Sequence, residues 1–194
     1  YEPLFKTLIG DWRKLWGEDM PFYFVQLAGF LQPKAVQPDS EWAALRNAQA
    51  KALQLDNTAM AVTTDLGNPV DIHPKNKQDV AHRLALIALN RDYGKDCVYA
   101  APECTSVERA GNRLILRFDA PVHPTSNAIT GFIIAGKDGR FTTATPTVTD
   151  DRTISLTSPA VPSPESVRYN WADYPAGNLY GATGLPVAPF ANDK

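Results

Sequence analysis

Met60-Ala61-Val62-Thr63-Thr64-Asp65-Leu66-Gly67-Asn68-Pro69-Val70-Asp71-Ile72-His73-Pro74 is the stretch on which the reading of this chain turns. Met60 to Thr64 are short and nearly continuous in apolarity, as in a strand buried on both faces of a parallel sheet. A polar loop follows from Asp65, and Pro74 is placed to open a helix with Val80, Leu84 and Ile87 at helical spacing, ending near Asn90. In open α/β sheets, active sites form outside the carboxyl ends of the strands. This loop holds Asp71 two residues before His73. An imidazole base needs a carboxylate at its other nitrogen to hold its tautomer and steady the imidazolium. Asp71 is placed to supply one.

Working outward, the preceding residues repeat the alternation. Leu4, Leu8, Trp12 and Leu15 lie on one helical stripe behind Pro3, with Phe5, Ile9 and Trp16 alongside, and Gly17 closes the helix. Pro21 to Leu27 reads as a second buried strand. A proline-containing loop from Phe30 to Ser40 leads to a helix from Glu41 to about Leu53, capped by Asp39 or Ser40. Helix–strand–helix–strand–loop–helix implies the later part of a three-layer α/β/α domain. Beyond Tyr99 the pattern becomes short strands punctuated by Gly and Pro. Val107–Ala110 and Arg113–Phe118 flank a Gly111-Asn112 turn, and a second hairpin turns at Gly136 to Gly139. Further strands are expected at Thr153–Leu156 and Ser166–Trp171, giving a β-sandwich-like module. The expected division is residues 1–95 in the α/β part and 96–194 in an all-β domain, joined near Lys95 to Thr105.

Composition narrows the function classes. The net charge is −2 with no Lys/Arg-rich run, which argues against a nucleic-acid or polybasic membrane surface. No apolar run approaches the ~18 residues a membrane span requires. Cys97 and Cys104 are compatible with one short-loop disulfide or two free thiols, and two thiols are too few for a zinc site. No metal or organic cofactor is implied. His82 falls inside the third helix and His123 beside prolines in the β part, so His73 is the candidate base. The seven serines (Ser40, Ser106, Ser126, Ser155, Ser158, Ser163 and Ser166) all lie off any Gly-x-Ser-x-Gly strand-to-helix turn. The chain therefore offers a base without a matching serine nucleophile. Asp65, at the strand end, is the alternative orienting carboxylate. Gln26, Phe30, Trp42, Arg46 and Gln49 are the candidate substrate contacts, and Trp12, Trp16, Phe22 and Phe24 read as core.

The run from Asp65 to Leu86 resembles the histidine block of the sialate O-acetylesterases, which are SGNH-type carbohydrate esterases. Pro21 to Ala28 resembles that family's strand before its substrate loop, and Trp42 to Gln49 its following helix. Asn170-Trp171, Asn178 to Tyr180, Gly184 to Pro186 and Pro189-Phe190 resemble its carboxyl-terminal tail, so the likeness spans essentially all 194 residues. The resemblance implies the carboxyl-terminal portion of a flavodoxin-like α/β/α domain followed by a β-sandwich-like one. It implies hydrolysis of O-acetyl esters on carbohydrate, sialic acid O-acetyl groups first, through a serine acyl-enzyme with His73 as general base. The wider superfamily commonly places the Asp three residues before the His, whereas Asp71 stands two before. The family's serine and oxyanion-hole residues precede the region matched. The expected partner is therefore an amino-terminal portion carrying the serine, without which the chain should be inactive and unstable by itself. Acetylxylan or another glycan is the alternative substrate. A non-catalytic glycan-binding or scaffold fragment is the alternative of another class. Relatives of this kind are usually exported, which points to a periplasmic or secreted location.

Overall fold

The structure is a computed structural model that describes residues 1–193. The first half contains α1 (Glu2–Trp16), β1 (Phe22–Val25), α2 (Glu41–Ala50), β2 (Thr58–Ala61) and α3 (Lys77–Arg91). Pro3 sits in the first turn of α1, and Gly17 ends it at φ 74°, its N–H donating to the Arg13 carbonyl at 2.9 Å. Ser40 caps α2, its Oγ accepting from the Ala43 N–H at 3.0 Å, and a short 3-10 turn at Lys51–Gln54 prolongs that helix. Two expected boundaries shift. The second strand lies earlier, at Thr58–Ala61, because its register follows β1 from Phe22↔Thr58 to Val25↔Ala61. The third helix starts at Lys77 instead of Pro74, because Asn76 provides the cap, Oδ1 accepting from Asp79 N–H at 3.1 Å.

β1 and β2 pair in parallel as a two-stranded sheet, and period-two alternation sends their side chains to opposite faces. Phe22, Phe24 and Met60 pack with Phe5 and Ile9 of α1. Tyr23, Ala59 and Ala61 pack with Leu84 and Ile87 of α3. Two arginines of α3 serve the backbone of the second strand. Arg83 donates to the Val62 carbonyl at 2.6 Å and Arg91 to the Thr58 carbonyl. Helix α1 buries only its Phe5–Ile9 side. Leu4, Leu8, Trp12 and Leu15 remain 76%, 45%, 51% and 83% exposed, and Trp16 63%. The expectation that Trp12 and Trp16 are core residues is corrected: a two-stranded sheet is too narrow to cover both sides of the helix. Phe24 is buried as expected.

The second half comprises β3 (Cys104–Ala110), β4 (Arg113–Phe118), β5 (Val122–Pro124), β6 (Phe132–Ala135), β7 (Thr142–Thr143), β8 (Thr145–Asp150), β9 (Thr153–Thr157), β10 (Ser166–Tyr169), β11 (Leu179–Gly181) and β12 (Phe190–Ala191). One antiparallel sheet has the order β3-β4-β9-β8, the other β12-β10-β6-β7, and β5 pairs with β11. Leu114, Leu116, Ile154 and Leu156 from the first sheet share one core with Phe132, Ile134, Val167 and Tyr169 from the second. The chain is thus a mixed α/β structure in which antiparallel strands dominate. Strand β6 is apolar on both faces because its Ile133 points the other way, packing with Ala43 of α2 and Trp171. Around the same seam, Arg168 lies between the rings of Phe141 and Trp171, 4.2 and 4.7 Å from their centroids, and grips Asp193 bidentately. Cys97 and Cys104 are free thiols. Burial pushes the Cys104 thiol up to about 11, so it stays protonated and poorly nucleophilic.

Candidate active site

The exits of β1 and β2 are tied to each other before either loop begins. Gln26 donates its N–H to the Ala61 carbonyl at 2.9 Å, and Thr63 Oγ1 donates to the Gln26 carbonyl at 2.6 Å. Past this point, α2 holds the β1 loop with side chains. Gln49 accepts the Leu27 N–H at 2.8 Å and donates to the Val25 carbonyl at 3.4 Å, standing in for a strand neighbour. Arg46 is fully buried and donates to four carbonyls, those of Leu27, Ala28, Ala172 and Asp173, at 2.7 to 3.1 Å. Trp42 Nε1 donates to the Ala28 carbonyl at 2.9 Å, and its ring leans on Phe30 with centroids 5.7 Å apart.

These contacts redraw the expected substrate surface. Arg46 and Gln49 are buried and spend their donors on backbone, so they shape the loop and do not face a ligand. Gln26 is 1% exposed, and neither atom of its side-chain amide has a hydrogen-bond partner. It too is enclosed and does not line an open site. Phe30 and Trp42 remain half-buried.

The loop after β2 starts with a 3-10 turn at Thr64–Leu66 and then touches the β1 loop. A side chain at Gly67 would meet the Gly29 carbonyl oxygen at 2.1 Å, and Asn68 N–H donates to that same oxygen at 3.1 Å. Gly67→Ala should therefore push the two loops apart, destabilising the fold by about 1–3 kcal/mol, since overpacking costs that much where backbone cannot yield. Urea denaturation of the variant checks this. A stability equal to the parent would mean that the loops separate freely.

Two Asx turns carry the chain onward. Asn68 Oδ1 accepts from the Val70 and Asp71 N–H groups at 2.9 and 3.2 Å, and Asp71 Oδ1 accepts from the His73 N–H at 2.9 Å. His73 is presented to solvent, its side chain 85% exposed, with Nδ1 3.6 Å from Asp71 Oδ1. That separation is an ion-pair distance and too long for a hydrogen bond. The His73 backbone N–H, helped by the nearby imidazole and Lys75, holds the Asp71 carboxyl below the usual carboxylate range. Asp71 is therefore an anion wherever an imidazole works as a base.

Asp65, the alternative orienting carboxylate, is committed elsewhere. Its two oxygens accept from Nη1 and Nη2 of Arg83, both at 2.7 Å, and Tyr180 Oη lies 3.4 Å from Oδ2. Asp65 accordingly faces Arg83 and Tyr180, not His73. The buried Arg83 was missed from the sequence, although it falls on the same helical side as Leu84 and Ile87. Tyr180 carried no signal before the fold was known. Among the described residues, Asp71 is the polar group beside the His73 imidazole. Ser40 caps α2 and donates to Asp173 Oδ1 at 2.6 Å, and the other serines belong to the β half. His82 and His123 are exposed on α3 and β5. No group of residues that would hold a metal ion is present among those described.

An exposed His/Asp pair stands beyond the ends of two parallel strands. The proteins that resemble this chain are esterases. No family profile matches the sequence. The chain is 28% identical to the sialate O-acetylesterase of Mus musculus and 27% to that of Rattus norvegicus, over 98% of this chain and 40% of each relative. A crystal structure described as a novel carbohydrate acetylesterase from Xanthomonas citri superposes with a TM-score of 0.93 at 41% identity, covering all of this chain and 46% of that one. The chain is a homologue of the sialate O-acetylesterases over nearly its whole length, as the Asp65–Leu86 block led us to expect. It spans less than half the length of the relatives it matches.

Proposed function

We propose that this chain forms the histidine-bearing part of a carbohydrate O-acetylesterase of SGNH type, acting first on sialic acid O-acetyl groups. The carrying observation is the Asp71–His73 pair, exposed on turns that the strand ends hold in place. His73 Nε2 takes the proton of a serine as its oxygen attacks the acetyl carbonyl, then returns it to the departing sugar hydroxyl. In the second half-reaction the imidazole deprotonates the water that attacks the acetyl-enzyme carbonyl, then passes that proton to the serine oxygen as acetate leaves. Asp71, on the Nδ1 side, favours the imidazolium formed in each step.

The serine lies on an amino-terminal portion, as part of the same polypeptide or as a second one, and this chain is inactive without it. Two features support such a neighbour. The Leu4–Leu8–Trp12–Leu15 stripe is apolar and uncovered, and β1 is half of a sheet only two strands wide. In this reading residues 1–95 complete a three-layer α/β/α domain, and residues 96–194 form a β domain appended to it. The enzyme is periplasmic or secreted, and this chain brings it no cofactor site and no nucleic-acid surface. Among the described residues no helix is long and apolar enough to cross a membrane.

Intact mass and p-nitrophenyl acetate turnover, measured on one purified sample, test the reading. The expected result is turnover only where a serine-bearing polypeptide accompanies the 21.2 kDa chain. Turnover by the 21.2 kDa chain alone would overturn the missing nucleophile. No turnover even with the serine-bearing portion would favour a glycan-binding fragment. Release of acetate from O-acetylated sialic acid in preference to acetylxylan decides the substrate.

A further inference from the structure

We propose that Arg83, Asp65 and Tyr180 form a clamp that positions the His73 loop, so that the β half of the chain takes part in placing the base. The inference rests on the reading of His73 as the general base, and the three residues are positioning residues, since none touches the imidazole.

The loop from Val62 to Asn76 leaves β2 and returns as α3. Arg83, on α3 itself, reaches back to the loop entrance. Its Nη1 donates to the Val62 carbonyl at 2.6 Å, and its fork closes on both oxygens of Asp65 at 2.7 Å. One guanidinium thus joins the loop's entry, its 3-10 turn and its exit helix. The pair is shielded, with side-chain exposures of 9% for Arg83 and 16% for Asp65. Its bidentate geometry fixes direction as well as distance. Tyr180, half-buried on β11, is held by pairing with His123 of β5 and by a bridge to Pro186. Its hydroxyl reaches Asp65 Oδ2 at 3.4 Å, so the carboxylate is approached from both halves of the molecule.

Beyond the clamp the loop has few anchors. The Gly29 carbonyl holds Asn68, and after it only the Asn68 and Asp71 turns define the path. Val70 is 77% exposed and Ile72 46%, so no apolar packing steadies the tip. An imidazole carried on such a tip inherits its position from the base of the loop. A misplacement near 1 Å is enough to cost about 100-fold in rate.

Hydrogen exchange and kinetics together test the clamp. Tyr180→Phe and Arg83→Lys in the serine-containing enzyme should each speed exchange of the amides in residues 66–76 several-fold, leaving those of β4 and β9 unchanged. In the serine-containing enzyme, Arg83→Lys should lower kcat about tenfold with KM within twofold, because lysine keeps the charge and loses the fork. Loop exchange that stays at the parent rate in both variants would overturn the proposal. So would a loss confined to KM, or one that tracks global unfolding. His73→Ala separates the two readings. If it abolishes turnover while Arg83→Lys leaves kcat intact, the clamp is wrong and the base assignment stands. If it leaves turnover unchanged, the base assignment falls, and the exchange data alone decide whether the clamp orders the loop.

Discussion

His73→Ala should lower kcat by about 10³-fold or more in the serine-containing enzyme, with binding of the sugar little changed. Without the imidazole, nothing beside the serine hydroxyl takes its proton as the acetyl carbonyl is attacked, and nothing protonates the leaving sugar oxygen. No other described residue replaces it, since His82 and His123 are exposed on other elements and the Asp65 carboxylate is held by Arg83. Steady-state kinetics on acetylated sugar measure the effect, and a parent-like kcat would remove His73 from the mechanism. Asp71→Asn should cost far less. An exposed ion pair contributes about 0–1 kcal/mol, or no more than roughly fivefold in rate. The Asp71 carboxyl is 43% exposed and 3.6 Å from Nδ1, unlike the buried carboxylate of a protease triad. A loss near 10⁴-fold would show that the assembled enzyme draws Asp71 into a closer hydrogen bond. Because the Asp71 carboxyl titrates below its ordinary value, its anionic form and the turn it caps persist above that range. They are lost only as pH falls through the lowered value. Any step that Asp71 contributes to the pH–rate profile should therefore lie on the acid side of its ordinary value.

Arg46→Met should destabilise the chain by about 4 kcal/mol, the scale for removing the partner of buried polar groups. Four carbonyls from two distant segments, Leu27–Ala28 and Ala172–Asp173, converge on this guanidinium. Methionine fills the volume but donates to none of them, which leaves the Leu27 and Ala172 carbonyls without a donor, while Ala28 keeps Trp42 Nε1 and Asp173 keeps the Phe30 N–H. The loss is smaller than four separate bonds would suggest, because the desolvation of the cation is relieved at the same time. That cost is visible in the Arg46 guanidinium, which burial pushes down to about 10 while Asp173 pulls the other way. The depressed value means that the unfolded chain binds this proton more tightly. The desolvation cost is therefore relieved only as pH rises above about 10, and Arg46 is charged at neutral pH. Urea melts at pH 7 measure the loss. A change below about 1 kcal/mol would mean that water reaches the freed carbonyls. The functional consequence is specific: Arg46 joins Phe30, Gln37 and Ser40 in binding the β1 loop to the Ala172–Asp173 corner, so its loss should also loosen the Gly29–Gly67 contact beneath the His73 loop.

The elements that short-range patterns determine were readable. Pro3 and Gly17 bracket α1, Ser40 precedes α2, and the Gly111-Asn112 turn joins β3 to β4, because each depends on local backbone chemistry. The small strands β5, β8, β11 and β12 were not assigned as strands, since two to six residues hold too little periodicity to mark them. That Arg46 and Gln49 spend their donors on backbone was not legible, for one reason. A polar side chain near a strand end looks the same in sequence whether it faces a ligand or a neighbouring carbonyl.

The sequence by itself determined the parallel pair with helices around it, the antiparallel half, and the placement of Asp71 and His73 on a loop past a strand end. It determined too that no serine of this chain sits in a nucleophile turn. Only the tertiary structure decided which polar groups are consumed internally. It closed Arg46 onto four carbonyls, gave Asp65 to Arg83 and Tyr180, and left the Leu4–Trp12 stripe in solvent. The physical reason is range: caps and turns are settled within a few residues, whereas a carboxylate's partner is settled by whichever charge the fold brings to it, here from 18 and 115 residues away.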